Sequence, residues 1–139
     1  MRPLILSLCL LAYPAANALA LDLADVGSYQ VLSAQNRPTE KVLRLAGTPA
    51  QWRIEVRQPD GSWQEVHGEG DCGLAVSGEG EKKSFFPGED LSAVLMDCVH
   101  NPALAFCSYT LKAVPTERAY LLVERTGPEP GPRRLRREH

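Results

Sequence analysis

Ala50-Gln51-Trp52-Arg53-Ile54-Glu55-Val56-Arg57-Gln58-Pro59-Asp60-Gly61-Ser62-Trp63-Gln64-Glu65-Val66 is the stretch whose reading decides the fold. Trp52, Ile54 and Val56 alternate strictly with Gln51, Arg53, Glu55 and Arg57. Successive side chains of a strand point to opposite faces, so one face of this segment is buried and the other is wet. Pro59-Asp60-Gly61 then reverses the chain: Pro presets φ, Asp favours the turn, and Gly accepts the left-handed position. The segment reads as a β-hairpin.

The register of that hairpin sets the environment of Trp63. A three-residue loop with a Gly bulge places Arg57 opposite Trp63 on the polar face, and Glu55 opposite Glu65. A two-residue loop, Pro59 and Asp60, places Val56 opposite Trp63 and buries the ring, because a one-residue slip exchanges the faces. The bulged register suits Gly61 but brings two glutamates together. In that register Arg53, Arg57 and Trp63 form a candidate binding face, since Arg and aromatic side chains are enriched at binding hot spots and can stack on one another.

Outward from the hairpin the alternation recurs. A first strand is expected around 27–33, carrying Tyr29 and Val31, and a second carries Val42, Leu43, Leu45 and Ala46. Asn36-Arg37-Pro38 and Gly47-Thr48-Pro49 punctuate them. Further strands are expected at Cys72–Ser77, Lys82–Phe86, Leu91–Asp97, Phe106–Ala113 and Arg118–Arg125. Gly68-Glu69-Gly70-Asp71 and Gly78-Glu79-Gly80-Glu81 read as loops, and only Val99–Leu104 suggests a helical turn. Short strands with turn signals every few residues, and no long segment of helical period, predict an all-β domain over residues 21–125. Its expected form is a single small antiparallel β-sandwich or barrel of about eight short strands. The Gly-Pro-Glu-Pro-Gly-Pro run and the arginines that follow, residues 126–139, read as a disordered C-terminal tail.

Residues 1–20 have the pattern of a secretory signal peptide: Arg2, an apolar run from Pro3 to Ala12, and Ala-Leu-Ala ending at Ala20. The run is shorter than the roughly 20 apolar residues that cross a bilayer, and no second hydrophobic segment follows. The expected location is therefore periplasmic or secreted, with no membrane span. Residues 21–125 carry ten Lys or Arg against fifteen Asp or Glu, while the last fourteen residues carry four Arg against two Glu. An acidic body argues against a nucleic-acid partner, whose phosphates require many basic contacts.

Cys72, Cys98 and Cys107 remain beyond the signal, in a setting where nearby thiols pair. Cys98 and Cys107 end and begin consecutive expected strands, which favours a bridge between them worth about 2–3 kcal/mol. Cys72 paired with either one stays open on the sequence alone. His67, Cys72, Cys98 and His100 offer an alternative: four ligands that could hold a metal or small ligand. Their spacing matches no zinc-finger pattern. The two acidic loops bracket an extended segment and would lie about 20 Å apart at ~3.3 Å per residue, so they cannot share one calcium ion.

No Gly-x-Ser-x-Gly, His-Glu-x-x-His, Walker or Cys-x-x-Cys motif occurs. The expectation is a non-enzyme without cofactor. It is an exported protein-binding module, such as an inhibitor, immunity factor or accessory subunit, whose partner is another exported or envelope protein.

Overall fold

The computed structural model describes residues 21–66 and 73–138. The expected leader, the Gly68–Asp71 loop, His67 and Cys72 lie outside the described residues. Nine strands are present among those described: β1 (Gly27–Leu32), β2 (Pro38–Thr48), β3 (Gln51–Arg57), β4 (Trp63–Glu65), β5 (Ala75–Val76), β6 (Val94–His100), β7 (Leu104–Leu111), β8 (Val114–Glu124) and β9 (Gly131–Arg137). A single helix, α1 (Glu79–Phe85), accompanies them. The strands form one open sheet in the order β4-β3-β2-β1-β9-β8-β7-β6-β5, with every pair antiparallel. It consists of two meanders, β1–β4 and β5–β9, joined where β1 pairs with β9. The expected antiparallel all-β class is realised.

The sheet is rolled. Asn101, in the β6–β7 turn, donates its side-chain amide to the Val66 carbonyl at 3.3 Å. On a flat sheet β4 and β7, six spacings apart in the strand order, would be separated by about 29 Å at ~4.8 Å per strand. The two ends of the sheet therefore curve toward each other around a common interior. That interior is built by alternation: Tyr29 and Val31, Leu43 and Leu45, Trp52 and Ile54, Leu104 and Phe106, Tyr120 and Leu122 all belong to one buried cluster. Lys41 on β2 reaches Glu124 on β8 at 2.9 Å, a further contact between strands that are not neighbours.

A 3-10 turn at Leu23–Asp25 plugs one end. Asp25 is fully buried. Its carboxylate accepts from the Asp22 N–H at 2.8 Å and the Tyr120 hydroxyl at 2.8 Å, and it lies 3.2 Å from the Arg118 guanidinium. The Tyr29 hydroxyl donates to the Asp25 carbonyl. Burial pushes both phenols upward: for Tyr29 the next cause is the adjacent Tyr120, and for Tyr120 it is the hydrogen bond to Asp25. Among the described residues no buried side-chain nitrogen or oxygen lacks a hydrogen-bond partner.

A second apolar layer lies on the outside, where Phe85 and Phe86 cover Cys98, Ala105, Cys107 and Val123. This layer corrects two sequence expectations. Gly78-Glu79-Gly80-Glu81 is not a loop but the cap and first turn of α1, and Lys82–Phe86 is helical rather than extended. The Glu81 carboxylate accepts the Gly78 N–H at 3.0 Å, satisfying one of the donors a helix start leaves open. Docking of the two phenylalanines supplies what a glycine-bearing seven-residue helix lacks by propensity. Of the expected strand Cys72–Ser77 only Ala75–Val76 is β among the described residues, and Val99–Leu104 contains no helical turn.

The expected tail is the largest correction. Residues 131–137 form β9, which lies between β1 and β8 in the middle of the sheet. Tyr29 pairs with Arg137, and Val31 and Tyr120 both pair with Leu135, which is buried. A central strand draws on backbone ladders along both edges, so an Arg-rich, Pro-containing segment is held by hydrogen bonds rather than by apolar side chains.

Candidate binding face around Trp63

The hairpin adopts the bulged register. Arg57 lies opposite Trp63 and Glu55 opposite Glu65. Gln58 donates its N–H to the Ser62 carbonyl at 2.7 Å, and Gly61 takes the positive φ of 88° that the loop requires. Asp60 fastens the loop by accepting both the N–H and the hydroxyl of Ser62, and these bonds hold its carboxyl below the usual range.

Trp52 and Ile54 point into the core, so Arg53, Glu55 and Arg57 point outward. Trp63 is half-buried on that outer face. The Arg44 guanidinium lies over its ring, 4.2 Å from the centroid, and that of Arg57 lies 6.0 Å away. Arg44 is steadied by Glu55 at 2.9 Å, and Arg57 is approached by Glu138 at 3.6 Å. Guanidinium planes over an indole face are attracted by the ring quadrupole, and the contact orients donors that still reach solvent. Two arginines thus flank a rigid aromatic surface across three adjacent strands.

Of the three residues selected from the sequence, the structure brings Arg57 and Trp63 together. Arg53 shares the face and is exposed, but sits on the far side of Glu55. Arg44 is the member the sequence did not yield. Its outward direction follows from Leu43 and Leu45 pointing inward. Its place beside Glu55 depends on the β2–β3 register, set by the tight Thr48–Gln51 connection.

The four-ligand alternative loses one member, and His67 and Cys72 lie outside the described residues. Cys98 and Cys107, directly opposite on β6 and β7, form a disulfide with an S–S distance of 2.02 Å. Cys98 therefore has no thiolate to offer a metal. Among the described residues no group of three His, Cys, Asp or Glu side chains is placed to hold an ion. His100 has other partners: Nδ1 lies 2.7 Å from the Ser77 hydroxyl and Nε2 lies 2.7 Å from the Glu81 carboxylate.

A Ser–His–carboxylate chain of this kind invites a catalytic reading, which the surroundings oppose. Ser77 is buried. Its N–H is spent on the Cys98 carbonyl, and that of Gly78 on Glu81, so neither is available to a developing oxyanion. The chain instead ties α1 to β6. Burial lowers the His100 pKa from its ordinary 6.5, Glu81 works in the opposite direction, and Arg125 lowers it further. A lowered folded-state value means that the neutral ring stabilises the fold above about pH 6.5, and that this contribution is lost as the pH falls through the folded value. An NMR titration of the His100 ring is expected to show a midpoint below 6.5 that drops again in Glu81→Gln. A midpoint at or above 6.5 would contradict the burial argument.

No known protein family, curated protein or solved structure matches the chain. Among the described residues no helix is long and apolar enough to cross a membrane.

Proposed function

We propose that this protein is a non-catalytic protein-binding module, exported to the periplasm or secreted, acting on another exported protein as an inhibitor, immunity factor or accessory subunit does. The observation that carries this reading is the outward face on which Arg44 and Arg57 flank Trp63. Such a face offers a large, stiff contact area together with planar cationic donors, and it fits a partner that presents carboxylates around an apolar centre. The Cys98–Cys107 disulfide supports an oxidising location. The N–H groups of Ser77 and Gly78, beside the Ser77–His100–Glu81 chain, are already engaged, which supports a role without catalysis.

The test places a photo-crosslinking residue at Arg53 in cells that export the chain and follows one discrete adduct. Trp63→Ala and Arg57→Glu are each expected to weaken that complex by about 2 kcal/mol, roughly thirtyfold, as hot-spot truncations do. Melting temperature should stay near that of the unaltered protein, because neither side chain belongs to the interior cluster. Adduct yields equal to the unaltered chain in both variants would remove this face from the function.

A further inference from the structure

At the other end of the strand order, β6 is only partly paired on its outer edge among the described residues. β5 covers that edge at Val99 and His100, and the last contact is the Ser77 N–H on the Cys98 carbonyl at 2.9 Å. The chain then turns away into α1, and no residue of β5 lies opposite Val94–Asp97.

The direction of the backbone groups is fixed. Cys98 and Cys107 have Cα atoms 4.1 Å apart, the close spacing of a pair that does not exchange ladder hydrogen bonds, so the Cys98 groups point away from β7. The Ser77 contact agrees. By the two-residue period, Val94 and Met96 point the same way, while the Ala93 carbonyl points toward β7 and accepts from Lys112. On that outer side the Met96 carbonyl is met by the Lys82 ammonium at 3.0 Å, a side chain standing where a strand N–H would be. Charged caps of this sort are a usual cover for a sheet edge.

Alongside the edge runs a groove of about 740 Å³ bounded by α1, the 88–92 segment and β6. It reaches both faces of the strand. Phe86, Leu91 and Met96 line its apolar side, and Asp97 lies on the other. Four carboxylates against three lysines leave the lining acidic. Burial raises the Asp97 carboxyl, against the opposing pull of Lys82 and Arg118.

We infer that the outer edge of β6 at Val94–Met96 is a strand-addition site, taking an extended partner-protein segment in which apolar and basic residues alternate. The Met96 N–H and the Val94 carbonyl supply the attachment, because the Val94 N–H is spent on the Leu91 carbonyl at 3.2 Å and the Met96 carbonyl on Lys82. Apolar side chains enter against Phe86, Leu91 and Met96, and basic ones face Asp97. The site stands independently of the Trp63 face.

The probe is a capped hexapeptide alternating valine and lysine, added to the full domain with its disulfide intact. Hydrogen exchange of the Met96 amide is expected to slow about tenfold at saturation. N-methylation of the peptide's ladder-facing positions should weaken binding by about tenfold, the worth of one to two net hydrogen bonds. Met96→Pro removes the outward donor at a position where an edge strand tolerates proline, and should weaken the peptide similarly while the β6–β7 ladder persists. Three results would overturn the inference. One is an unprotected Met96 amide, and another is equal binding of the N-methylated peptide to the unaltered chain. The third is Met96 protection that rises with protein concentration alone, which would make a second copy the occupant.

Discussion

Ending the chain after Gly127 is expected to abolish cooperative folding. The deletion removes β9, and with it three register pairs to β1 and five to β8. At about 0.5–1.5 kcal/mol net for each hydrogen bond, the loss is of the order of the whole stability of a small domain, about 5–15 kcal/mol. The interior also loses Leu135. β1 and β8 are each left with an unsatisfied edge, and the two meanders have no remaining seam. Far-UV circular dichroism and the dispersion of amide resonances read the outcome. A truncated chain that melts in a sharp transition with native dispersion would show that β9 is dispensable, and would restore the reading of that segment as a tail.

The second large effect is expected at Asp25. Replacement by Ala strips the Tyr120 hydroxyl of its buried acceptor, and takes from the partly exposed Arg118 guanidinium its nearer carboxylate, leaving Asp22 at 3.9 Å. A buried hydroxyl left without its partner costs about 1–3 kcal/mol, and loss of the partly exposed ion pair to Arg118 adds up to about 1 kcal/mol. Urea denaturation of Asp25→Ala should show that loss. Leu23→Ala, in the same turn but 64% exposed, should fall within about 0.5 kcal/mol of the unaltered chain. An Asp25→Ala variant within about 1 kcal/mol would mean that Arg118 and Tyr120 find water instead, and that the plug is looser than its geometry.

These two residues and segments mark the border of what the sequence disclosed. The β3–β4 hairpin was legible because two local signals agreed: strict alternation from Gln51 to Arg57, and a loop whose Gly61 suits the bulge. Its register stayed open between a bulged and a two-residue loop, and with it the side on which Trp63 lies; the structure adopts the bulge. The Cys98–Cys107 bridge was legible as a preference, since a strand–turn–strand reading brings its two ends together.

Other parts were hidden for physical reasons. β9 carries Gly131, Pro132 and four arginines, a composition that solvates well. Nothing local in Arg133–Arg137 says that two backbone edges from distant strands will meet there. Helix α1 has glycines at 78 and 80 and only seven residues, so its existence depends on Phe85 and Phe86 finding the outer face of β6 and β7. Asp25 reads as one acidic residue among many, and its burial emerges only when Tyr120 and Arg118 arrive from 95 and 93 positions along the chain. The role of Arg44 needed a register that the short connection at Pro49-Ala50 sets without an alternation signal of its own.

The position of β9 also orders events in time. During synthesis β1 emerges about a hundred residues before the strand that must lie against it. Until then β1–β4 can form only a meander with one bare flank, and β5–β8 a second with another. The seam that unites them is among the most distant pairings in the chain, and distant pairings carry the largest loop-closure cost and the slowest rates. Refolding is therefore expected to be limited by docking of the two halves rather than by formation of either. The half-built species, with bare flanks of Tyr29, Val31, Tyr120 and Leu122, is the one most exposed to misassociation.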